Sequence, residues 1–431
     1  MNIWLVKLEE SLPIDENYRP YRMGMLADAL LQREHHVIRW ASDRMHLTNN
    51  NRFGKDTTIN YEPDQTFELL SSGIKYSKPL SPLRLLDNFF LAYKFKKIAL
   101  TRQKPDLIIC AMPTPELAMV SSQLGKIFNT PVIIDSRDYW PDIFEKELTG
   151  LKKLLSWPIV YFMKRNLKYA TKNATSLVGI TEFYRDHLLN YANKTCDDSI
   201  DGVFPLGYSA SLNQLSEDEE VEARHYWENH LGKEWMQKNR KIVYFAGRLN
   251  STVFKAINPV VSLVKKGAQL WPDYVFVFCG SGQYENQIKS AFNGLDNIVM
   301  PGEVSARNLS YLRSNSYLAL QPIENRVDYL NSLSNKFFEY ISSGLPIVTS
   351  LQGITEKLIK QHEIGFVYHD EKSLTDCMEQ LYGQRDLRNA MSIRSKKLFQ
   401  ANYSADVVYK NFAQHCEKII SYYKHDTQTP V

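Results

Sequence analysis

The chain has little net charge, few cysteines and no long apolar run, and each absence excludes something. Its 52 Lys and Arg residues against 48 Asp and Glu leave only +4 over 431 residues. That is too little to mark a nucleic-acid binder by charge alone, so any basic surface has to be local. The five cysteines, Cys110, Cys196, Cys279, Cys377 and Cys416, are scattered without metal-ligand spacing. They read as buried free thiols in a reducing compartment rather than as disulfides or a zinc module. No apolar stretch approaches the ~20 residues that span a bilayer. The opening MNIWLVKLEE runs straight into an apolar strand, without the regions of a signal peptide. The expectation is a cytoplasmic protein, at most peripheral at the inner face of the plasma membrane. Neither half carries G-x-G-x-x-G after its first strand, which disfavours a dinucleotide oxidoreductase.

What is present is globular: 44% hydrophobic and 23% charged residues in a length that calls for two or three domains. Short apolar runs alternate with helix-like segments, the pattern of parallel sheets with crossover helices. Strands are predicted at 2–6, 36–40, 106–110, 132–135 and 176–179. The rhythm restarts at Lys241, with strands at 242–246, 274–279, 298–300, 317–321, 347–350 and 365–368. The fold class is therefore α/β, with two Rossmann-like doubly wound domains in tandem. GVFPLGYS at 202–209 supplies Pro205 and Gly207 for a hinge, and the acidic SEDEE at 216–220 reads as solvated surface. The amphipathic segment 404–423 either caps the second domain or crosses back to the first. Two segments are locally basic, 151–172 without any acid and 82–104 with Asp87 alone. Such faces suit anionic lipid headgroups, or helices packed on a sheet with snorkelling lysines.

Ligands of open α/β sheets bind beyond the carboxyl ends of the strands, and four loops of the second half carry suitable residues. In FAGRLNSTVFKAINPVV at 245–261, Arg248 and Lys255 bracket a loop where two cations could hold a diphosphate. Asn258 and Pro259 are read as a helix start that runs to Gly267. CGSGQYENQIK contributes the small residues Gly280, Ser281 and Gly282. MPGEVSARNLSYL at 300–312 contributes Gly302 and Glu303, with Ser305 as an N-cap. In SLSNKFFEYISSG at 332–344, Ser334 is read as N-cap and Gly344 as the residue past the end. The helix start, with Ser332, Leu333, Ser334 and Asn335, offers backbone N–H groups to phosphate. Glu339, one turn in, can accept two hydrogen bonds from a vicinal diol. Phosphate beside ribose hydroxyls is what a nucleotide presents.

Together these loops resemble the nucleotide-sugar-binding half of retaining, family 4 type GT-B glycosyltransferases. The carriers are NKFFEYISSGLPIVTS at 335–350 and GRL at 247–249 with Lys255. IIDSRDYWPD at 133–142 is similar to a D-x-R-D-x-W-P-[DE] stretch of members that build bacterial surface polysaccharides, including lipopolysaccharide. GITEFYRD at 179–186 and VFPLGY at 203–208 add to the likeness. The resemblance implies an acceptor-side domain over 1–204, with 405–431 packing back on it, and a donor domain over 205–404 facing it across a cleft. It implies that Arg248 and Lys255 neutralise the diphosphate, Glu339 binds the ribose, Gly302 and Glu303 lie near the base, and Gly282 borders the pocket. Asp138 would orient the acceptor hydroxyl, with Arg137, Trp140 and Glu182 beside it. Arg19 and Arg22, in EESLPIDENYRPYRMG, are read as a grip on an acceptor phosphate or as surface arginines.

One departure concerns the sugar. Many members place a second glutamate eight residues before the first, and here that position is Asn331; Glu324 and Asp328 are the candidates to replace it. The function expected is transfer from a UDP- or GDP-sugar to a hydroxyl of a lipid-linked glycan, with retention. No cofactor or metal is expected, because no D-x-D pair lies in a suitable loop. The alternatives are a nucleotide-sugar epimerase or hydrolase of the same fold, or a non-catalytic two-lobed binding protein.

Overall fold

A computed structural model describes residues 1–16, 18–45, 50–74, 82–232 and 240–428; Asn17, within the stretch that holds Arg19 and Arg22, and the last three residues lie outside them. The chain divides into two compact units, Met1–Leu206 with Val408–Val431, and Gly207–Val407.

The first unit is built on an eight-stranded sheet in the order β3-β4-β2-β1-β5-β6-β7-β8. The strands are β1 Asn2–Val6, β2 His36–Ser42, β3 Thr57–Glu62, β4 Gln65–Leu70, β5 Leu107–Ala111, β6 Val132–Ser136, β7 Ser176–Gly179 and β8 Gly202–Val203. All pairings are parallel except β3 with β4. The central strands are apolar runs buried on both faces, as crossover topology requires. One core gathers Trp4, Trp40, Phe95, Ile108, Leu124 and Leu167.

The β3–β4 hairpin is an addition to the predicted strands. Its sequence, TTINYE then QTFELL, looks polar, yet β4 is buried throughout. Glu68 is tolerated inside because Arg102 pairs with it through Nε at 2.5 Å and a second nitrogen at 3.0 Å. The predicted amphipathic segment near the C-terminus is the helix Ala405–Gln428. From Val408 onward it belongs to the first unit and buries Val408, Tyr409, Phe412, Cys416, Ile419 and Ile420.

The second unit holds a six-stranded, wholly parallel sheet in the order β11-β10-β9-β12-β13-β14. Its strands are β9 Lys241–Ala246, β10 Tyr274–Cys279, β11 Ile298–Gly302, β12 Leu318–Gln321, β13 Ile347–Thr349 and β14 Gly365–Val367. The order runs outward in both directions from β9 and β12, which makes the gap between their carboxyl ends a topological switch point. SEDEE lies largely at the solvent, as expected, and also starts a helix: Ser216 caps Glu217–Leu231 in a reciprocal capping box with Glu219. The helix expected to end at Gly267 continues to Leu270. Gly267 lies inside it, buried against Trp271. Four cysteines are buried free thiols, as expected, but Cys196 is exposed.

Candidate functional site

The four loops of the second unit meet at the carboxyl end of its sheet. The turn after β9 and the turn after β10 are laced by backbone bonds, Gly247 N–H to Cys279 O and Leu249 N–H to Ser281 O, both 3.0 Å. This contact depends on glycine. A Cβ on Gly280, whose φ is +136°, would lie 1.9 Å from the Gly247 carbonyl oxygen, and one on Gly282 would lie 2.5 Å from that of Leu249. Gly280 N–H in turn bonds Gly302 O at 2.6 Å, and Ser281 Oγ reaches Glu303 at 3.3 Å. So Gly282, Gly302 and Glu303 belong to one continuous ledge.

Asn250 caps the short helix Ser251–Ala256 by accepting from Val253 N–H at 3.3 Å. This holds the segment between Arg248 and Lys255 in place while both cations stay exposed. Lys255 Nζ lies 2.9 and 3.1 Å from the two carboxylate oxygens of Glu324, beyond the end of β12. Of the two acids weighed against Asn331, Glu324 therefore stands at the switch point beside Lys255. Asp328 is held by Arg326 at 2.9 Å.

Helix Asn335–Ser343 begins at Ser334 and ends at Gly344, φ +71°, as its sequence suggests. The Ser334 hydroxyl does not cap it, however, and instead accepts from the Gln321 amide at 3.3 Å. The first N–H groups are thus left without a side-chain cap, which suits an anion. Ser332 Oγ bonds Asp328 O at 2.7 Å and Leu333 is buried, so these two place the helix start with their side chains turned to the protein. Asn335 is exposed.

Two residues of this candidate site were missed by sequence reasoning. Lys336 extends over Gly247, where a Cβ would meet its Cε at 2.2 Å and its Nζ at 2.9 Å. Burial lowers its pKa, with Glu339 opposing the shift, so an arriving anion would offset the cost of its charge. Its spacing of three residues from Glu339 puts both on one helix face and was the available signal. The second is Arg313, buried on helix Ala306–Ser314, with its guanidinium 3.5 Å from Glu339 Oε2 and 3.0 Å from Ser343 Oγ, and bonded to Asn213 Oδ1. Glu339 is therefore a half-buried carboxylate oriented by a buried cation. Nothing in the sequence around Arg313 marks that partnership, which spans 26 residues.

In the first unit the proposed acceptor residues are more dispersed. Arg22 is neither an anchor for phosphate nor a surface arginine, and both expectations are corrected. Its guanidinium is buried in a bidentate pair with Asp135, 2.8 and 2.9 Å, and donates to Pro205 O at 2.9 Å. Burial opposes its charge, but Asp135 outweighs it and raises the pKa. Arg19 is half-buried, 6.0 Å from the Tyr21 ring centroid. Asp138 is exposed on the loop after β6, next to half-buried Arg137. Trp140 packs edge-on to Phe144 at 4.6 Å and under Arg84 at 5.6 Å. Glu182 is exposed at the start of helix Glu182–Ala192, beyond β7.

Asp142, the last acid of DYWPD, anchors that loop. It accepts from His187 Nε2, Tyr191 OH and Lys164 Nζ, each at 2.8 Å. Burial would raise its pKa, yet these three bonds hold the carboxyl well below the usual range. Lys7, at the end of β1, donates to Met112 O at 3.0 Å. Its pKa falls to about 8 through burial and the charge of Arg137. Among the described residues no group of His, Cys, Asp or Glu could hold a metal ion.

This architecture of two doubly wound units defines the GT-B fold, and solved GT-B structures align along almost the whole chain. Sucrose-phosphate synthase from Thermosynechococcus elongatus aligns with a TM-score of 0.68 at 15% identity, covering 98% of this chain and 99% of that one. WaaG, a glycosyltransferase involved in lipopolysaccharide biosynthesis, aligns at 0.62 with 14% identity over 96% and 99%. HepE from Anabaena, in complex with UDP-glucose, aligns at 0.59 with 13% identity over 98% and 100%. Residues 228–398 match the family described as glycosyl transferases group 1. No curated protein matches the chain in sequence. The family match spans the loops after β9 to β12 and helix Asn335–Ser343, and with the fold it supports a glycosyltransferase of the GT-B class.

Proposed function

We propose that the chain moves a hexosyl group from a nucleotide-diphosphate sugar to a hydroxyl of a lipid-linked glycan in surface-polysaccharide synthesis, with retention, as in family 4 type enzymes. The observation that carries the reading is the switch point beyond β9 and β12. There, glycine turns, Arg248, Lys255, Lys336 and an uncapped helix start surround one place. The diphosphate binds Arg248, Lys255, Lys336 and the N–H groups after Ser334, while Glu339, oriented by Arg313, takes the ribose hydroxyls. Gly282, Gly302 and Glu303 border the base. Glu324 stands in for the carboxylate missing at Asn331 and meets the donor sugar.

Catalysis rests on the leaving group. As the bond from the anomeric carbon to the phosphate oxygen breaks, charge builds on the diphosphate and the three cations stabilise it. The acceptor oxygen bonds to the same carbon on the same face and passes its proton to the phosphate oxygen. Side-chain cations supply the neutralisation, so no metal is required. Asp138 orients the acceptor hydroxyl, with Arg137, Trp140 and Glu182 around it. The UDP-glucose held by HepE favours a uridine donor over GDP, and WaaG's role in lipopolysaccharide favours a glycan acceptor.

Lipid linkage draws on helix Gly150–Asn173 of the first unit. It carries no acid and exposes Leu151, Leu154, Leu155 and Trp157 beside Lys152 and Lys153. This pairing of apolar and basic groups suits a peripheral site at the inner face of the plasma membrane; among the described residues no helix is long and apolar enough to cross a membrane. The test is incubation with UDP- and GDP-sugars plus lipid-linked glycans, with and without EDTA, read by mass spectrometry. One added hexose on the lipid-linked glycan, undiminished by EDTA, is expected. Nucleotide release or epimerised donor at the same rate without acceptor would contradict transfer and favour a hydrolase or epimerase.

A further inference from the structure

At the opposite end of the second sheet lies a cavity of about 520 Å³ that no role has yet claimed. It opens where the strands begin. Lys241 starts β9, Asp273 precedes β10, Ser316 and Tyr317 precede β12, and Arg385 and Arg388 come from the first turn of helix Arg385–Asn402. The six residues of β9 put it roughly 20 Å from the turn that carries Arg248. The volume is in the range of small-molecule sites.

Its charge is lopsided. Arg240, Lys241, Arg385 and Arg388 line the cavity against one lining carboxylate, Asp273, which is 3.9 Å from Lys241. No carboxylate pairs with Arg240, Arg385 or Arg388 among the described residues. Arg388 spends its guanidinium on backbone, donating to Tyr317 O at 3.0 Å and Ser316 O at 3.4 Å. Burial and the neighbouring Arg385 both disfavour its charge, which an anion would relieve. Helix Arg385–Asn402 also starts here without a side-chain cap hydrogen bond.

The cavity has an aromatic wall as well. Lys241 Nζ lies 3.9 Å from the Tyr382 ring centroid and 5.3 Å from that of Tyr317. Lys241 is thereby fixed as a rigid charge at one side, while Arg240 and Arg385 remain exposed and able to close on a ligand.

We infer that this cavity is a second anion site, independent of the donor site, that binds a phosphate-bearing small molecule. The phosphate sits among Arg240, Arg385, Arg388 and the helix start, and the tyrosines flank the rest of the ligand.

Inorganic diphosphate is the probe, titrated calorimetrically into the full chain carrying Arg248→Ala, which weakens the donor site. The expected result is saturable binding with Kd below ~1 mM, weakened at least ~tenfold by adding Arg240→Glu with Arg385→Glu. Both reversed residues are exposed, and in the otherwise unmodified chain the reversed pair should leave nucleotide-sugar binding unchanged, which shows that the fold is kept. Unaltered diphosphate affinity in the charge-reversed chain, or no binding to the Arg248→Ala chain up to ~10 mM, would overturn the inference.

Discussion

The two sheets share a doubly wound plan, but their carboxyl ends are furnished differently. In the second unit the turns after β9, β10 and β11 carry Gly247, Gly280, Gly282 and Gly302, and the cations around them stand at the surface or reach over bare backbone. In the first unit the corresponding ends are filled by side chains. Lys7 bridges from β1 to the Met112 carbonyl, and Arg22 is locked on Asp135 at the end of β6. A glycine-lined end lets a phosphate approach the backbone, with Arg248 exposed beside it and Lys255 held at the surface by Glu324. A side-chain-filled end covers its backbone and leaves groups such as Asp138 exposed on the loops. Under the proposed function, the first kind of end would hold the donor and the second would face the acceptor.

The largest break in that comparison should come from Asp135→Ala, which strands the Arg22 guanidinium in the core of the first unit. A loss of about 3–5 kcal/mol is expected in urea unfolding. The matching change in the second unit, Arg248→Ala, should leave the urea midpoint nearly unmoved. It should lower kcat/KM by ~10²-fold, about 2.7 kcal/mol of transition-state stabilisation, in a steady-state transfer assay. Lys336→Met, which keeps the buried stem and removes the charge, is expected to weaken nucleoside-diphosphate binding ~tenfold by calorimetry.

The smallest effect is on pH. His415, packed against Ser176 in the first unit, is pushed from 6.5 down to about 4 by burial and Lys418. Between those values the unfolded chain binds a proton that the folded chain refuses, so stability falls as pH drops from 6.5 toward 4. His415→Gln should flatten that part of the stability profile, measured by denaturant midpoints at each pH. An unchanged slope would mean that the ring accepts its proton in place.

Much of this was legible because parallel strands buried on both faces are continuous apolar runs. The central strands of both sheets and the two ends of helix Asn335–Ser343 follow from such runs and from Ser334 and Gly344. The β3–β4 hairpin was not legible, because Glu68 and Gln65 look like surface residues until Arg102 and the neighbouring strands cover them. Arg22 failed for the same reason in reverse. Its local sequence is polar and Pro-flanked, and only the partner 113 residues away makes it internal. Arg313 and Glu339 likewise share no sequence neighbourhood. Periodicity reports burial of apolar faces, but it is silent on buried charges whose partners are distant.

The central claim is that the carboxyl end of the second sheet holds the donor diphosphate. Calorimetric titration of UDP and GDP into the parent chain, Arg248→Ala and Arg137→Ala tests it most directly. The account predicts saturable binding of at least one nucleotide by the parent, at least ~30-fold weaker in Arg248→Ala and unchanged in Arg137→Ala. Equal affinity in the parent and Arg248→Ala, or a loss confined to Arg137→Ala, would contradict it.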